Sequence, residues 1–95
     1  MSAYVIVNID VKDPIRYEEY KRLAASTVAA FDGRYVVRGG PAEVLEGAWM
    51  PKRIVVLQFP SMARAREWVN SPDYAPARKL RHETAVSEMI LVEGM

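Results

Sequence analysis

The sequence predicts an α+β protein of element order β-α-β-β-α-β, with an antiparallel sheet covered by helices on one face. Three observations lead there. Strand-like runs rich in β-branched and aromatic residues occur at Ala3–Val11, Arg34–Arg38, Arg53–Phe59 and Val86–Val92. The first and third runs are each followed by a stretch whose apolar residues recur every three or four positions, the signature of an amphipathic helix. The boundaries carry matching punctuation in Asp13-Pro14, Asp32-Gly33, Phe59-Pro60-Ser61 and Ser71-Pro72-Asp73.

Each element can be justified in turn. Tyr4, Val5, Ile6, Val7 and Ile9 make the first strand apolar on both faces. Asp13 then supplies a helix cap, and Pro14 suits the first helical position, where a missing N–H leaves no bond unmade. In the helix that follows, Tyr17, Tyr20, Leu23, Ala24, Thr27, Val28 and Phe31 share one face, with Glu18, Glu19, Lys21 and Arg22 largely opposite. Asp32-Gly33 ends it. The second strand reads as two halves, Arg34–Arg38 and Ala42–Glu46, meeting at a kink over Gly39, Gly40 and Pro41. A hairpin over Gly47–Lys52 returns the chain into Arg53–Phe59, whose consecutive Ile54, Val55, Val56 and Leu57 suit a central strand. Ser61 caps a helix over Met62–Asn70 with Trp68 inward. A turn at Pro72–Ala75 interrupts it, and a further helix is expected from about Pro76 to Thr84.

Size and composition bound the function. With 95 residues, 51% hydrophobic and 26% charged, residues 1–95 suit one packed domain. A formal charge of +1, from 13 basic against 12 acidic residues, gives no electrostatic reason to expect a nucleic-acid partner. The chain has no cysteine, so disulfides, thiolate catalysis and thiolate-held metals are excluded, and a single His82 leaves little for any other metal site. No metal and no cofactor is expected. No apolar run approaches the roughly 18 residues of a membrane span, and the opening residues do not read as a signal peptide. A cytoplasmic location is the expectation.

Two helical units cover only one face of a four-stranded sheet, yet the first and third strands are apolar on both. An uncovered face of that kind exceeds what a monomer ordinarily exposes, so a homodimer formed through the sheets is expected.

Gly33-Arg34-Tyr35, Arg38-Gly39-Gly40, Glu43-Val44-Leu45-Glu46-Gly47, Trp49-x-Pro51-x-Arg53, Phe59-Pro60-Ser61, Ala65-x-x-Trp68, Ser71-Pro72-x-Tyr74 and Val92-Glu93-Gly94 together span the chain. In these motifs it resembles the family catalogued as domain of unknown function 1330, in the dimeric α+β barrel group. The resemblance implies ferredoxin-like protomers packed sheet to sheet and brings no established activity. Fold relatives in that group include cofactor-free monooxygenases, lactone isomerases, haem-using dismutases and effector-binding regulators, and fold alone does not choose among them.

The residues that can carry chemistry are few. Arg34 and Arg38, four apart on one strand, are expected on the same side beside the bare backbone of Gly39 and Gly40, an arrangement suited to a carboxylate. Arg53 adds a third guanidinium near the hairpin, and Trp49 is placed there to touch a ligand or a second copy. An arginine on a strand or bend is more often simply solvated, and that reading stands beside the first for each of the three. Tyr74, beside the broken helix, can present its hydroxyl to a pocket or serve as a buried structural tyrosine. His82 is the sole imidazole and hence the sole histidine base available, although its charged neighbours Arg78, Lys79, Arg81 and Glu83 suit a solvated side chain. These readings make the protein a cofactor-free enzyme acting on a small anionic or carbonyl-bearing metabolite, or a non-catalytic binding or assembly module.

Overall fold

The computed structural model describes residues 1–95. Its order is β1 (Ala3–Val11), α1 (Pro14–Ala30), β2 (Arg34–Arg38), β3 (Arg53–Phe59), α2 (Met62–Asn70), α3 (Ala75–Thr84) and β4 (Ala85–Glu93). The strands form one sheet in the order β2-β3-β1-β4, with every neighbouring pair antiparallel.

The caps work as the sequence leads one to expect. The Asp13 carboxylate accepts from the Arg16 backbone N–H at 3.2 Å, and Ser61 Oγ accepts from that of Arg64 at 3.1 Å. α1 stops where Asp32 adopts φ 64° and the Gly33 N–H donates back to the Val28 carbonyl at 2.9 Å. Pro76 does not delay α3, because a proline in the first turn gives up no helical bond.

β1 and β3 are each buried on one face only. Val5, Val7 and Ile9 of β1 and Val55, Leu57 and Phe59 of β3 point toward the helices and join Tyr17, Tyr20, Ala24, Val28, Trp68 and Tyr74 in the core. Their alternates, Tyr4 and Ile6 on β1 and Ile54 and Val56 on β3, face the other way together with Ile90 and Val92 of β4, which are 58% and 41% exposed. The molecule is only 17 Å thick, the depth of one sheet and one helical layer, so no helix or second sheet covers this outer face.

Two expectations are corrected here. Ala42–Glu46 is not a second half of β2: after Gly39 the chain leaves the sheet and residues 41–50 project as an irregular, fully exposed arm. Val44 and Leu45 have strand propensity, but propensity needs a partner strand, and β2 has already run past most of β3, which begins only at Arg53, by the time it reaches Arg38 opposite Val55. Nor do Arg34 and Arg38 share a side. The β2–β3 register shifts between Tyr35 and Val37, so one extra residue separates the two arginines and reverses the alternation. Arg34 pairs opposite Gln58 and Arg38 opposite Val55, which lie on opposite faces of β3.

Candidate functional site

Between α1 and the inner face of the sheet runs a slot lined by Val7, Ile9, Val55 and Leu57 from the strands, by Tyr17, Tyr20, Ala24 and Val28 from α1, and by Trp68 from α2. Tyr35, Arg38, Arg53, Lys21 and Met89 complete its lining. It is narrow: the space open to the centre of a water-sized sphere is about 20 Å³, room for one water molecule.

Aromatic rings set the shape of this slot. Trp68 is 1% exposed, with its ring centroid 5.4 Å from Phe59 and 4.2 Å from Tyr74, and its indole N–H donates to Thr27 Oγ1 at 3.0 Å. Tyr74 is completely enclosed. The turn between α2 and α3 holds it there, because Ser71 Oγ accepts from the Tyr74 backbone N–H at 3.1 Å while its own hydroxyl donates to the Trp68 carbonyl at 2.8 Å. The Tyr74 and Tyr20 hydroxyls meet at 2.8 Å, and the Tyr17 ring lies 5.2 Å from that of Tyr20.

The cationic edge of the slot is built by Gly39. Its φ of 74° is open to glycine at little cost, and a Cβ at this position would fall on the Arg53 guanidinium. The glycine therefore leaves the space in which the Arg53 head group lies, while the Gly39 N–H donates to the Ile54 carbonyl at 2.8 Å and ties the start of the arm to β3. Arg53 stands 6.0 Å from the Tyr17 ring centroid, and Arg38 stacks over Tyr35 at 4.2 Å. Lys12, Arg16, Lys21, Arg22 and Arg64 reach a carboxylate; Arg38 and Arg53 do not, nor do Arg34, Lys52, Arg66, Arg78, Lys79 and Arg81, but of these only Arg38 and Arg53 stand at the slot. Arg53 Nε is buried without a partner.

Burial pushes the Tyr17 phenol up from its usual range, with Arg53 pulling the other way, and Tyr35 is likewise raised by burial against the opposing charge of Arg38. Burial raises Tyr20 further still, reinforced by Tyr74. All three phenols are thus neutral donors near neutral pH. The lining contains no carboxylate and no imidazole.

Of the residues singled out in the sequence, the structure brings Arg38, Gly39 and Arg53 together at the slot. Arg34 lies elsewhere, donating through Nε to Gln58 Oε1 at 2.9 Å, and Gly40 stands open to solvent. Trp49 is 62% exposed and lies beside Ile6, Ile54 and Ile90, on the sheet face opposite the slot. His82 is exposed at the end of α3, its Nε2 3.4 Å from Arg81 Nη2, and does not line the slot. Tyr74 reaches the slot only through Tyr20. Tyr17, Tyr20 and Tyr35 were read merely as core or strand residues; the usable signal was their hydroxyls, since an inward helical face needing only bulk is as well served by Leu or Phe. Arg81, a member of the charged run around His82, is 5% exposed and donates to Ser87 Oγ at 2.7 Å. No three His, Cys, Asp or Glu side chains cluster closely enough to hold a metal ion.

Gly39→Ala is expected to cost about 1–2 kcal/mol of stability from the left-handed backbone. It should also displace the Arg53 head group and weaken binding of a small carboxylate as much as loss of Arg53 itself does. Urea unfolding and titration calorimetry read the two effects separately, and unchanged carboxylate affinity would refute the cradle.

The family model of DUF1330, a domain of unknown function, matches residues 2–95. Among solved structures, the RPA0582 protein of unknown function from Rhodopseudomonas palustris aligns at a TM-score of 0.79 and 19% identity, over 99% of this chain and 82% of that one. A dimeric ferredoxin-like protein of unknown function from Jannaschia sp. CCS1 aligns at 0.73 and 13%, over 99% and 100% of the two chains. SnoaB, a cofactor-independent oxygenase from Streptomyces nogalater, aligns at 0.69 and 15%, over 99% and 93%. At such identities the likeness is one of fold. Among curated proteins nothing matches the sequence. No helix is long and apolar enough to cross a membrane.

Proposed function

We propose that this chain, which belongs to the DUF1330 family, binds a small anionic or carbonyl-bearing metabolite in its slot and acts on it without a cofactor. One observation carries this reading: Arg38 and Arg53 stand at an aromatic, largely apolar slot with no carboxylate to neutralise them. Arg53 Nε is buried without a partner, which is costly, and a carboxylate or enolate entering the slot would supply one there and a counter-charge to the exposed Arg38. The tyrosines around it are neutral donors that favour developing negative charge on oxygen. Because the lining offers no base, the substrate must contribute its own acidic or electron-rich centre, and the protein's part is to bind and stabilise the anion. The fold likeness to a cofactor-independent oxygenase is compatible with this division of labour.

In this reading the chain is a single domain working as a cytoplasmic homodimer, with no nucleic-acid or membrane partner. The dimeric protein among its structural neighbours and the uncovered outer face support the pairing. The alternative, a non-catalytic binding or assembly module, is favoured by the narrowness of the slot and by the absence of a base.

Arg38→Ala and Arg53→Ala should each weaken binding of short monocarboxylates by about 1.5–3 kcal/mol, as expected for loss of a charge-assisted hydrogen bond, while circular dichroism shows the fold intact. His82→Gln should leave that affinity and any turnover unchanged, since the ring is exposed and lies outside the slot. Wild-type affinity in both arginine variants, or a carboxylate bound elsewhere in a crystal structure, would overturn the assignment. Carboxylate binding without turnover across a metabolite panel would select the binding module.

A further inference from the structure

The anion-binding reading accounts for the arginines and leaves the buried Tyr20–Tyr74 pair unexplained. Two hydroxyls in contact at 2.8 Å share one hydrogen, so whichever accepts keeps its own proton free, and neither has another partner in the chain. Tyr74 is completely enclosed and stacked on Trp68, whereas Tyr20 lines the slot. If Tyr20 donates, the spare proton is stranded on Tyr74 in the interior, where an unmade bond is expensive. If Tyr74 donates, the spare proton sits on Tyr20, the member of the pair that lines the slot, where there is room for one oxygen atom the size of water.

We infer that the Tyr74–Tyr20 pair is a relay of donors for a neutral ligand oxygen. The ligand is then an oxo acid, a carboxylate held by Arg38 and Arg53 and a ketone carbonyl accepting from Tyr20, admitted as the slot, which holds about one water at rest, widens at its exposed Arg38 edge. Tyr74 is a positioning residue, since it touches no ligand and acts by fixing the direction of the Tyr20 hydroxyl. Polarisation along the two phenols strengthens the terminal donor. Burial, which holds Tyr20 protonated, suits it to a carbonyl and makes it a poor partner for a group that can only donate. The inference rests on the anion-binding reading and adds the second functional group of the ligand.

Isothermal titration of the wild-type protein with 2-oxopentanoate, 4-oxopentanoate and 5-oxohexanoate, against pentanoate and hexanoate, tests it. At least one oxo acid should bind roughly tenfold more tightly than its parent, the worth of one hydrogen bond. That ratio should fall to about one in Tyr20→Phe and to an intermediate value in Tyr74→Phe. A reading that does not depend on either variant folding is the carbon-13 resonance of a ketone-labelled oxo acid, which should move downfield on binding to the wild-type protein. Parent acids that bind through Arg38 and Arg53 with no oxo acid preferred would sink the relay and leave the anion site standing. A preference that survives in Tyr20→Phe would do the same. Failure of every acid to bind would remove both.

Discussion

Val56→Asp is expected to convert the protein into a folded monomer, whereas Val55→Asp, one residue away, should prevent folding. Val55 is 7% exposed and packs into the core with Val7 and Leu57, so an aspartate there is a buried carboxylate with no partner, a cost of several kcal/mol against a total stability of about 5–15 kcal/mol. Val56 pairs with Ile6 on the outer face, where the protomer alone leaves it partly exposed. Charge at that position is tolerable in an isolated protomer and intolerable in an apolar interface of the roughly 2,000 Å² or more that an obligate pair buries. Sedimentation at micromolar concentration should therefore find dimer for the wild type and monomer with native circular dichroism for Val56→Asp. A Val56→Asp protein that stays dimeric would show that the sheets do not face each other.

Trp68→Ala should cost about 3–5 kcal/mol, the usual penalty for removing a large buried aromatic side chain, and more than any other single truncation in the slot. The estimate follows from the packing of Trp68 between Phe59 and Tyr74 and its hydrogen bond to Thr27, all of which the truncation removes together. Tyr74 loses the ring it stacks on, so the Tyr20 contact should loosen and carboxylate affinity fall even where folding survives. Urea unfolding checks the first effect, and a loss below about 1 kcal/mol would mean that the interior repacks. Trp68→Phe keeps a ring but drops the N–H donor and should fall between the two.

Much of the fold was legible because each element carried its own local instruction. Asp13-Pro14 and Ser61 mark helix starts by unmade backbone bonds that a side chain can satisfy, and the spacing of Tyr17, Tyr20, Ala24 and Val28 marks a buried helical face; neither depends on anything distant. The arm departs from expectation for the complementary reason: Val44 and Leu45 look like strand, but whether they pair is decided by how far β3 extends beside them, which no local pattern records. The site was half legible. Arg38, Gly39 and Arg53 stood out as isolated oddities, while the fact that a missing Cβ at position 39 makes room for a side chain from position 53 is a three-dimensional relation. Arg81 stayed hidden because a charged run looks solvated until α3 turns one of its members onto Ser87. The tyrosines hid in plain sight, since the apolar bodies that place them in the core say nothing of where their hydroxyls point.

The extra residue in β2 gives this short strand a second vocabulary. An uninterrupted strand is a single clock, with odd ticks to one side and even ticks to the other; the bulge between Tyr35 and Val37 resets that clock midway, so that Arg34 and Arg38 report to different compartments of the molecule. Arg34 keeps time with Gln58 on the face where a second protomer would lie, and Arg38 with the ligand slot. For protein engineering this separates two kinds of neighbouring sequence. The exposed stretch from Pro41 to Gly47 is free-running, open to changes of length and composition, whereas deleting or inserting one residue within Arg34–Arg38 would change which side of the sheet one of its two guanidiniums reaches.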